Sequence, residues 1–371
     1  MLQLFQPSPE RGRGARAPLF RDVRQVCTVV DDFELTVTHL TEVLGVGPFR
    51  CWHFRPPELH DCTFRGRPAT YSMKLAITWL DDVQWEVITP VDGPTLYAEF
   101  LAKHGRGVQH LLMSTGDVSF EAASAELARR GHPFGQTAAL NADVQVGRLK
   151  LPSLPNALAG PLCLRFGYVD AEATLRTNIE LTRYPLGLSE RFSLRSGRAE
   201  FCIPAGDARF ERSLPNRRVG SLFKVTLVTR DLDATVRAYG ELARVGPWRT
   251  FERRHAAGFD ARVAWSPIGQ LLVELVQPQG GAGPYHAFLE GQGEGVFSLG
   301  VLPGRDGLDG LVRHLTGAGY AHLLGAPLVG DHPAALLGAR RFIGTDLEIV
   351  APGVRRAAEL FERTSSDRAL S

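Results

Sequence analysis

The chain has no uninterrupted apolar run approaching the roughly 18 residues of a membrane-spanning helix, and its first residues lack the long apolar segment of a secretory leader. Cysteine is scarce. Cys27, Cys51, Cys62, Cys163 and Cys202 are an odd number without a C-x-x-C pair, which argues against a disulfide framework and for reduced thiols. A cytoplasmic protein, neither secreted nor membrane-embedded, is therefore expected. Charge of either sign is not in excess: the formal charge is +2, and the basic residues are nearly all arginine. No basic block is dense enough to follow a phosphate backbone, so nucleic acid is not an expected partner. The short runs Arg11 to Arg16 and Arg217-Arg218 read as solvated linker surface. Nucleotide fingerprints are also missing, because Gly45-Val46-Gly47 and Gly105-Arg106-Gly107 each follow a helix, whereas a phosphate-binding loop opens one.

What is present is enough for more than one core. With 371 residues, 44% hydrophobic and 22% charged, the chain predicts two or three domains. Its 39 glycines and 24 prolines follow no three-residue period and mark turns in a globular fold. Val26 to Val30 is a short β-branched run, followed by Asp31-Asp32 and then by Phe33 to Leu44 with helical apolar spacing. Strand, cap and helix recur at Val225 to Val228, Arg230-Asp231 and Leu232 to Leu242. Further on, Trp85-Glu86-Val87-Ile88-Thr89-Pro90, Gly93-Pro94, Tyr97 to Leu101 and Gly105-Arg106-Gly107-Val108 match Val273-Glu274-Leu275-Val276-Gln277-Pro278, Gly283-Pro284, Tyr285 to Leu289 and Gly293-Glu294-Gly295-Val296. Helices follow at Phe120 to Arg129 and Leu308 to Leu315. Each copy closes on a strand carrying an acid, Thr177-Asn178-Ile179-Glu180-Leu181 and Thr345-Asp346-Leu347-Glu348-Ile349.

The repeat divides the chain into an N-terminal extension (1–19), a first module (20–185), a linker (186–216), a second module (217–355) and a C-terminal tail (356–371). Leu151 to Leu162 reads as a long loop, and Phe192, Phe201 and Phe210 point to part of the linker packing back on a module. Ser72 to Leu80, with Met73, Leu75 and Ile77 alternating against Lys74, Ala76 and Thr78, predicts a half-buried strand. The fold class is α+β, with helices on one face of mostly antiparallel sheets whose other face curves over a cleft.

These motifs, above all Trp-Glu-Val-Ile-Thr-Pro and Phe100-Leu101-x-Lys103-His104-Gly105-x-Gly107-Val108-Gln109-His110, resemble the vicinal-oxygen-chelate superfamily of glyoxalases, methylmalonyl-CoA epimerases and extradiol dioxygenases. The resemblance implies tandem βαβββ modules forming two half-open sheet cups, with a divalent metal on an inner face. Its metal positions fall on Gln25, Glu86, His110 and Glu180, a set similar to that of zinc-type glyoxalase I. It departs from the His, His, Glu triad of ring-cleaving and hydroxyphenylpyruvate dioxygenases at Gln25. One imidazole, two carboxylates and an amide oxygen suit Zn, Ni, Co or Mn, with Fe(II) as the metal of an oxidative alternative. The expected activity is a metal-dependent isomerase or epimerase acting on a small-molecule substrate, with Glu180 and Glu86 as the catalytic carboxylates. The alternatives are a dioxygenase or a non-catalytic binding protein. Arginine salt bridges could also hold Glu86 and Glu180, and His110 could be a hydrogen-bonded core histidine. In the second module the matching positions are Lys224, Glu274, Ser298 and Glu348, a degenerate site in which Lys224 neutralises a carboxylate and takes no metal. His53, His60, Tyr71, Arg165 and Arg176 are candidate cup-facing groups in the first module. Either a monomer or a homodimer fits the duplication.

Overall fold

The computed structural model describes residues 19–141, 145–146, 149–150, 163–185, 199–206, 214, 217–255, 257–325 and 333–351. The expected loop at Leu151 to Leu162, Phe192, Phe210, the extension up to residue 18 and the tail at 356–371 lie outside the described residues. The first half runs β1 (Asp22–Val29), α1 (Phe33–Glu42), β2 (Phe49–Phe54), β3 (Leu59–Phe64), β4 (Arg67–Pro68), β5 (Ser72–Leu80), β6 (Val83–Asp92), α2 (Leu96–His104), β7 (Gly107–Ser114), α3 (Phe120–Arg129), β8 (Phe134–Asn141), β9 (Gln145–Val146), β10 (Leu149–Lys150), β11 (Cys163–Val169), α4 (Glu172–Leu175), β12 (Asn178–Arg183) and β13 (Phe201–Ile203). The second half runs β14 (Val219–Val228), α5 (Leu232–Ala238, continued by a π-helical turn at Tyr239–Ala243), β15 (Arg249–His255), β16 (Phe259–Ile268), β17 (Leu271–Pro278), α6 (Pro284–Gly291), β18 (Gly295–Pro303), α7 (Gly307–Gly317), β19 (Ala321–Leu324), β20 (Ala334–Gly338), α8 (Arg340–Ile343) and β21 (Asp346–Val350). Local signals set the boundaries. Asp32 caps α1 by accepting from the Leu35 amide at 3.0 Å, and Asp231 caps α5 by accepting from Ala234 at 2.9 Å. Each such cap is worth about 1 kcal/mol.

Each half forms one curved sheet from two βαβββ units. The first has the order β13-β2-β5-β6-β1-β7-β12-β11-β8-β3-β4, the second β15-β16-β17-β14-β18-β21-β20-β19. At the centre of each, two antiparallel strands, β1 with β7 and β14 with β18, are flanked by strands that run parallel to them. The first cup carries an addition: the chain leaves β2, crosses to the far edge and pairs as β3 with β8, so the segment between β2 and β5 bridges the mouth. Phe201 of the linker lies in β13, which pairs with β2, and its ring meets Phe33 edge-on at 6.5 Å.

Alternation along the strands sorts the two faces of each sheet. Val26, Val87, Leu111 and Ile179 of the first sheet and Val225, Leu275, Leu299 and Leu347 of the second join Leu40, Leu127, Leu232 and Leu315 of the helices in one continuous core. Two separate clusters line the cup interiors. β5 was expected to be half-buried, yet Ala76 and Thr78 on its outer face are buried as well as Met73 and Ile77 on its inner one. The cause is the second module, which covers the outer face. Polar contacts fix that pairing: the Tyr239 hydroxyl donates to the Leu175 carbonyl at 3.1 Å, His39 stacks on Phe342 at 4.5 Å, and Arg244 pairs with Glu126 at 2.7 Å. His104 contacts both the Gln292 carbonyl of the second module and Glu172, each at 2.8 Å.

The second cup is filled from within. Lys224, fully buried, lies 3.0 Å from Glu274 and 2.6 Å from Glu348, while Arg253 pairs with Glu274 at 2.6 Å. The Trp265 indole and the Thr226 hydroxyl also donate to Glu274, at 2.5 and 3.2 Å. Lys224 thus bridges both acids and balances their charge together with Arg253, and Phe223, Trp265, Tyr285 and Phe297 occupy the remaining space.

Two outcomes follow from these contacts. Lys224→Met leaves buried carboxylates without their cation and should lower the unfolding free energy by about 3–5 kcal/mol in urea titrations. Burial pushes the Glu172 carboxyl up, but His104 and Lys103 outweigh it and hold it at about 2, below its ordinary 4.5. A lowered folded-state value stabilises above the ordinary value and ceases to do so as pH falls through the folded one. Glu172→Gln should therefore flatten the loss of thermal stability between about pH 4.5 and 2.

Candidate metal centre

The strand order β6-β1-β7-β12 places five polar residues side by side on the concave face of the first cup. Gln25 and Cys27 come from β1, Glu86 from β6, His110 from β7 and Glu180 from β12. Cys27 stands opposite Glu86 on one side and His110 on the other. His110 follows a β-bulge: Cys27 pairs with His110 and Thr28 with Val108, so Gln109 is the extra residue. Bulges re-aim side chains in this way, and Gln109 is thereby brought beside the His110 ring.

All four positions expected from the sequence come together. The Gln25 Nε2 donates to Glu86 Oε2 at 2.8 Å and to Glu180 Oε2 at 3.3 Å. His110 Nε2 lies 3.3 Å from Glu86 Oε2 and 3.1 Å from Glu180 Oε2, yet makes a well-formed hydrogen bond to neither. Its Nδ1 donates to Gln109 Oε1 at 2.6 Å. The other oxygen of Glu180 accepts from the Thr182 hydroxyl at 3.0 Å. Burial is nearly complete, with 0% of His110 and 6% of Glu180 exposed. The aromatic wall is formed by Tyr168, 4.7 Å from the His110 ring, and Tyr97, 6.3 Å away.

This is an expensive arrangement unless a cation completes it. Burial pushes the Glu86 carboxyl up, as does the neighbouring Glu180, while His110 draws it down. Burial would lower the His110 imidazole, but Glu180 and Glu86 together raise it to about 9. Among the described residues, no lysine or arginine pairs with either carboxylate, in contrast with Lys224 and Arg253 in the second cup. The donors fit a divalent ion: an inward-facing imidazole nitrogen without a hydrogen bond, two carboxylates and an amide that can turn its oxygen inward. Cys27, Glu86 and His110 bring one potential ligand atom each within 4.8 Å of one another, a cluster positioned to chelate a divalent metal.

Two residues at this centre escaped the sequence reading. Cys27 is two residues after Gln25 and shares its face, so strand alternation could have found it. Burial and then Glu86 push its thiol well up, which keeps it protonated in the absence of metal. Gln109 was hidden by the bulge, which breaks the alternation. Of the other candidates, Tyr71 is buried in the cup cluster, with its hydroxyl donating to the Thr137 carbonyl at 3.0 Å. His60 contacts Asn141 at 2.9 Å, His53 contacts Arg55 at 2.8 Å, and Arg165 reaches Asp61 at 3.3 Å. Arg176 is a correction: it sits in left-handed backbone just past α4 and points to Glu294 of the second module at 3.2 Å, outside the cup. Among the described residues, no helix is long and apolar enough to cross a membrane.

Residues 24–146 match the Glyoxalase/Bleomycin resistance protein/Dioxygenase superfamily. A mutant of 4-hydroxymandelate synthase from Streptomyces coelicolor aligns over 94% of this chain and 100% of its own, at 17% identity and a TM-score of 0.58. A methylmalonyl-CoA epimerase from Mycobacterium tuberculosis covers 39% of this chain and 96% of its own, at 19% identity and a TM-score of 0.32. No curated protein matches the chain. The chain thus has a glyoxalase-like fold of two tandem modules, each cup built of two βαβββ units, and the segment that matches the superfamily lies in the first of them.

Proposed function

We propose that the first cup is the active site of a divalent-metal-dependent enzyme that transfers a proton at the carbon next to a carbonyl of a small chelating substrate, an isomerase or epimerase. The observation that carries this reading is the convergence of His110 Nε2, without a hydrogen bond, on two carboxylates that lack a lysine or arginine partner among the described residues. Gln25, Glu86, His110 and Glu180 would hold the ion, with Cys27 close by. When bound, the ion would polarise a substrate carbonyl and acidify the adjacent C–H.

The protein's own groups do the rest. Glu180 is the better base, because Thr182 anchors its Oε1 and leaves Oε2 directed into the cup. Glu86, which accepts the shorter of the two Gln25 hydrogen bonds, is the steadier ligand. Tyr97 and Tyr168 exclude water from the carboxylates, and a drier site strengthens every charge interaction in it.

A second reading has its own support. The likeness to a 4-hydroxymandelate synthase covers 94% of this chain in the same two-cup arrangement, and it supports the oxidative alternative, for which Fe(II) is the expected metal. The donor set favours proton transfer, since a facial triad for oxygen chemistry uses two imidazoles and one carboxylate and here there is a single imidazole. Oxygen uptake with Fe(II) and an aromatic 2-oxo acid, without deuterium exchange into α-hydroxycarbonyl compounds in heavy water, would establish the oxidative reading. The converse pattern would establish proton transfer.

His110→Ala removes the nitrogen ligand and should weaken Zn(II) and Co(II) binding by about 100-fold, at the upper end for loss of a supporting group and read by competition with a chromophoric chelator. Full metal content in that variant would place the site elsewhere. Glu180→Gln retains an oxygen donor but no base, so metal content should persist while turnover falls by roughly 10²–10⁴.

A further inference from the structure

Gln109 is buried beside His110 and leaves much of its own amide unused. Its Oε1 accepts from His110 Nδ1 at 2.6 Å, and its backbone carbonyl accepts from the Thr177 hydroxyl at 3.4 Å. Its Nε2, shut off from solvent, has no hydrogen-bond partner. A buried amide with unmade hydrogen bonds lowers stability, and an apolar side chain at the same place would avoid that loss.

The second cup shows this apolar alternative. Thr226 stands opposite Ser298 and Leu227 opposite Val296, so the same bulge falls on Phe297. The Phe297 ring packs on Tyr285 at 5.0 Å and on Phe288 at 5.4 Å. The residue that follows is Ser298, and no imidazole needs orienting. Within one chain, an amide stands at the bulge where histidine follows, and a phenyl ring stands there where it does not.

From this contrast we infer that Gln109 is a positioning residue for the metal centre. By accepting from Nδ1–H it keeps that nitrogen protonated, so Nε2 is the nitrogen left to face the point between Glu86 and Glu180 and to bind an ion there. The hydrogen bond also sets the ring plane, which Tyr168 supports from the edge. A metal-ligating histidine is commonly oriented by such a partner, whose loss weakens metal binding. The inference rests on the first cup being a metal site.

Stability and metal affinity should then move apart. Gln109→Met keeps the volume, removes the acceptor and removes the unsatisfied donor with it. The full-length protein, stripped with a chelator, is titrated with Co(II) while its visible absorption is followed, and the metal-free form is unfolded by heat. Gln109→Met exchanges one buried unsatisfied donor, Gln109 Nε2, for another, His110 Nδ1–H, so it should unfold near the wild-type temperature, yet bind Co(II) about 10–100-fold more weakly and with a shifted absorption band. Gln109→Glu, which keeps an acceptor, should hold the affinity within a few-fold of wild type. Unchanged affinity and an unchanged band in Gln109→Met would overturn the assignment. So would parallel losses of thermal stability and affinity that Gln109→Glu fails to restore, since those report packing alone. If wild type itself takes up no Co(II), the reading of the first cup falls and the role of Gln109 falls with it.

Discussion

Carboxylates shut inside an apolar sheet must be met by positive charge, and the two halves of this chain satisfy that constraint differently. In the second cup the charge is covalent: Lys224 bridges Glu274 and Glu348, and Arg253 adds a second cation. In the first, Glu86 and Glu180 face a histidine and an amide. Burying an ion is costly enough that such a pair persists only with a partner in place. The metal fit, the elevated His110 and the contrast between the modules all follow from this one requirement.

The fold meets the geometric side of that demand. Four adjacent strands of the first cup deliver one or two side chains each to a single point, and a hydrophobic core shared by both modules backs those strands. A residue on such a strand moves little, because core interiors are close-packed and resist small displacements. Helices placed elsewhere would leave the convex faces exposed, and two cups packed back to back cover them within one chain. The modules also differ at their mouths. The first is bridged by the segment that becomes β3, and the second is occupied by aromatic side chains.

The duplicated plan could be read from the sequence because its signals are local. Asp32 and Asp231 cap helices through hydrogen bonds to residues three positions on, and such contacts need no knowledge of tertiary structure. Gln25, Glu86, His110 and Glu180 were implied by the resemblance to a known family, carried over position by position, and the structure brings all four together. Gln109 was not, since a bulge is set by how two strands pair and leaves no mark in a single strand. Arg176 went wrong for a similar reason. A left-handed residue just past α4 turns its side chain away from the cup, and neighbouring residue types did not announce that backbone angle. The burial of both faces of β5 was invisible because it depends on the partner module.

The correspondence between the modules bears on what the metal is for. Lys224 occupies the position of Gln25, Thr226 that of Cys27 and Ser298 that of His110, and the bulge is preserved. The second cup therefore keeps the backbone of the first while its polar centre is satisfied by protein groups alone. An ammonium on a flexible stem balances charge but accepts no further ligand, whereas a metal balances charge and keeps positions open to substrate oxygens. If folding were the only demand, a lysine in the first cup would serve as it does in the second. The retention there of a histidine, an amide and a thiol around two carboxylates is thus an argument for chemistry at that site, made by the chain against its own duplicate.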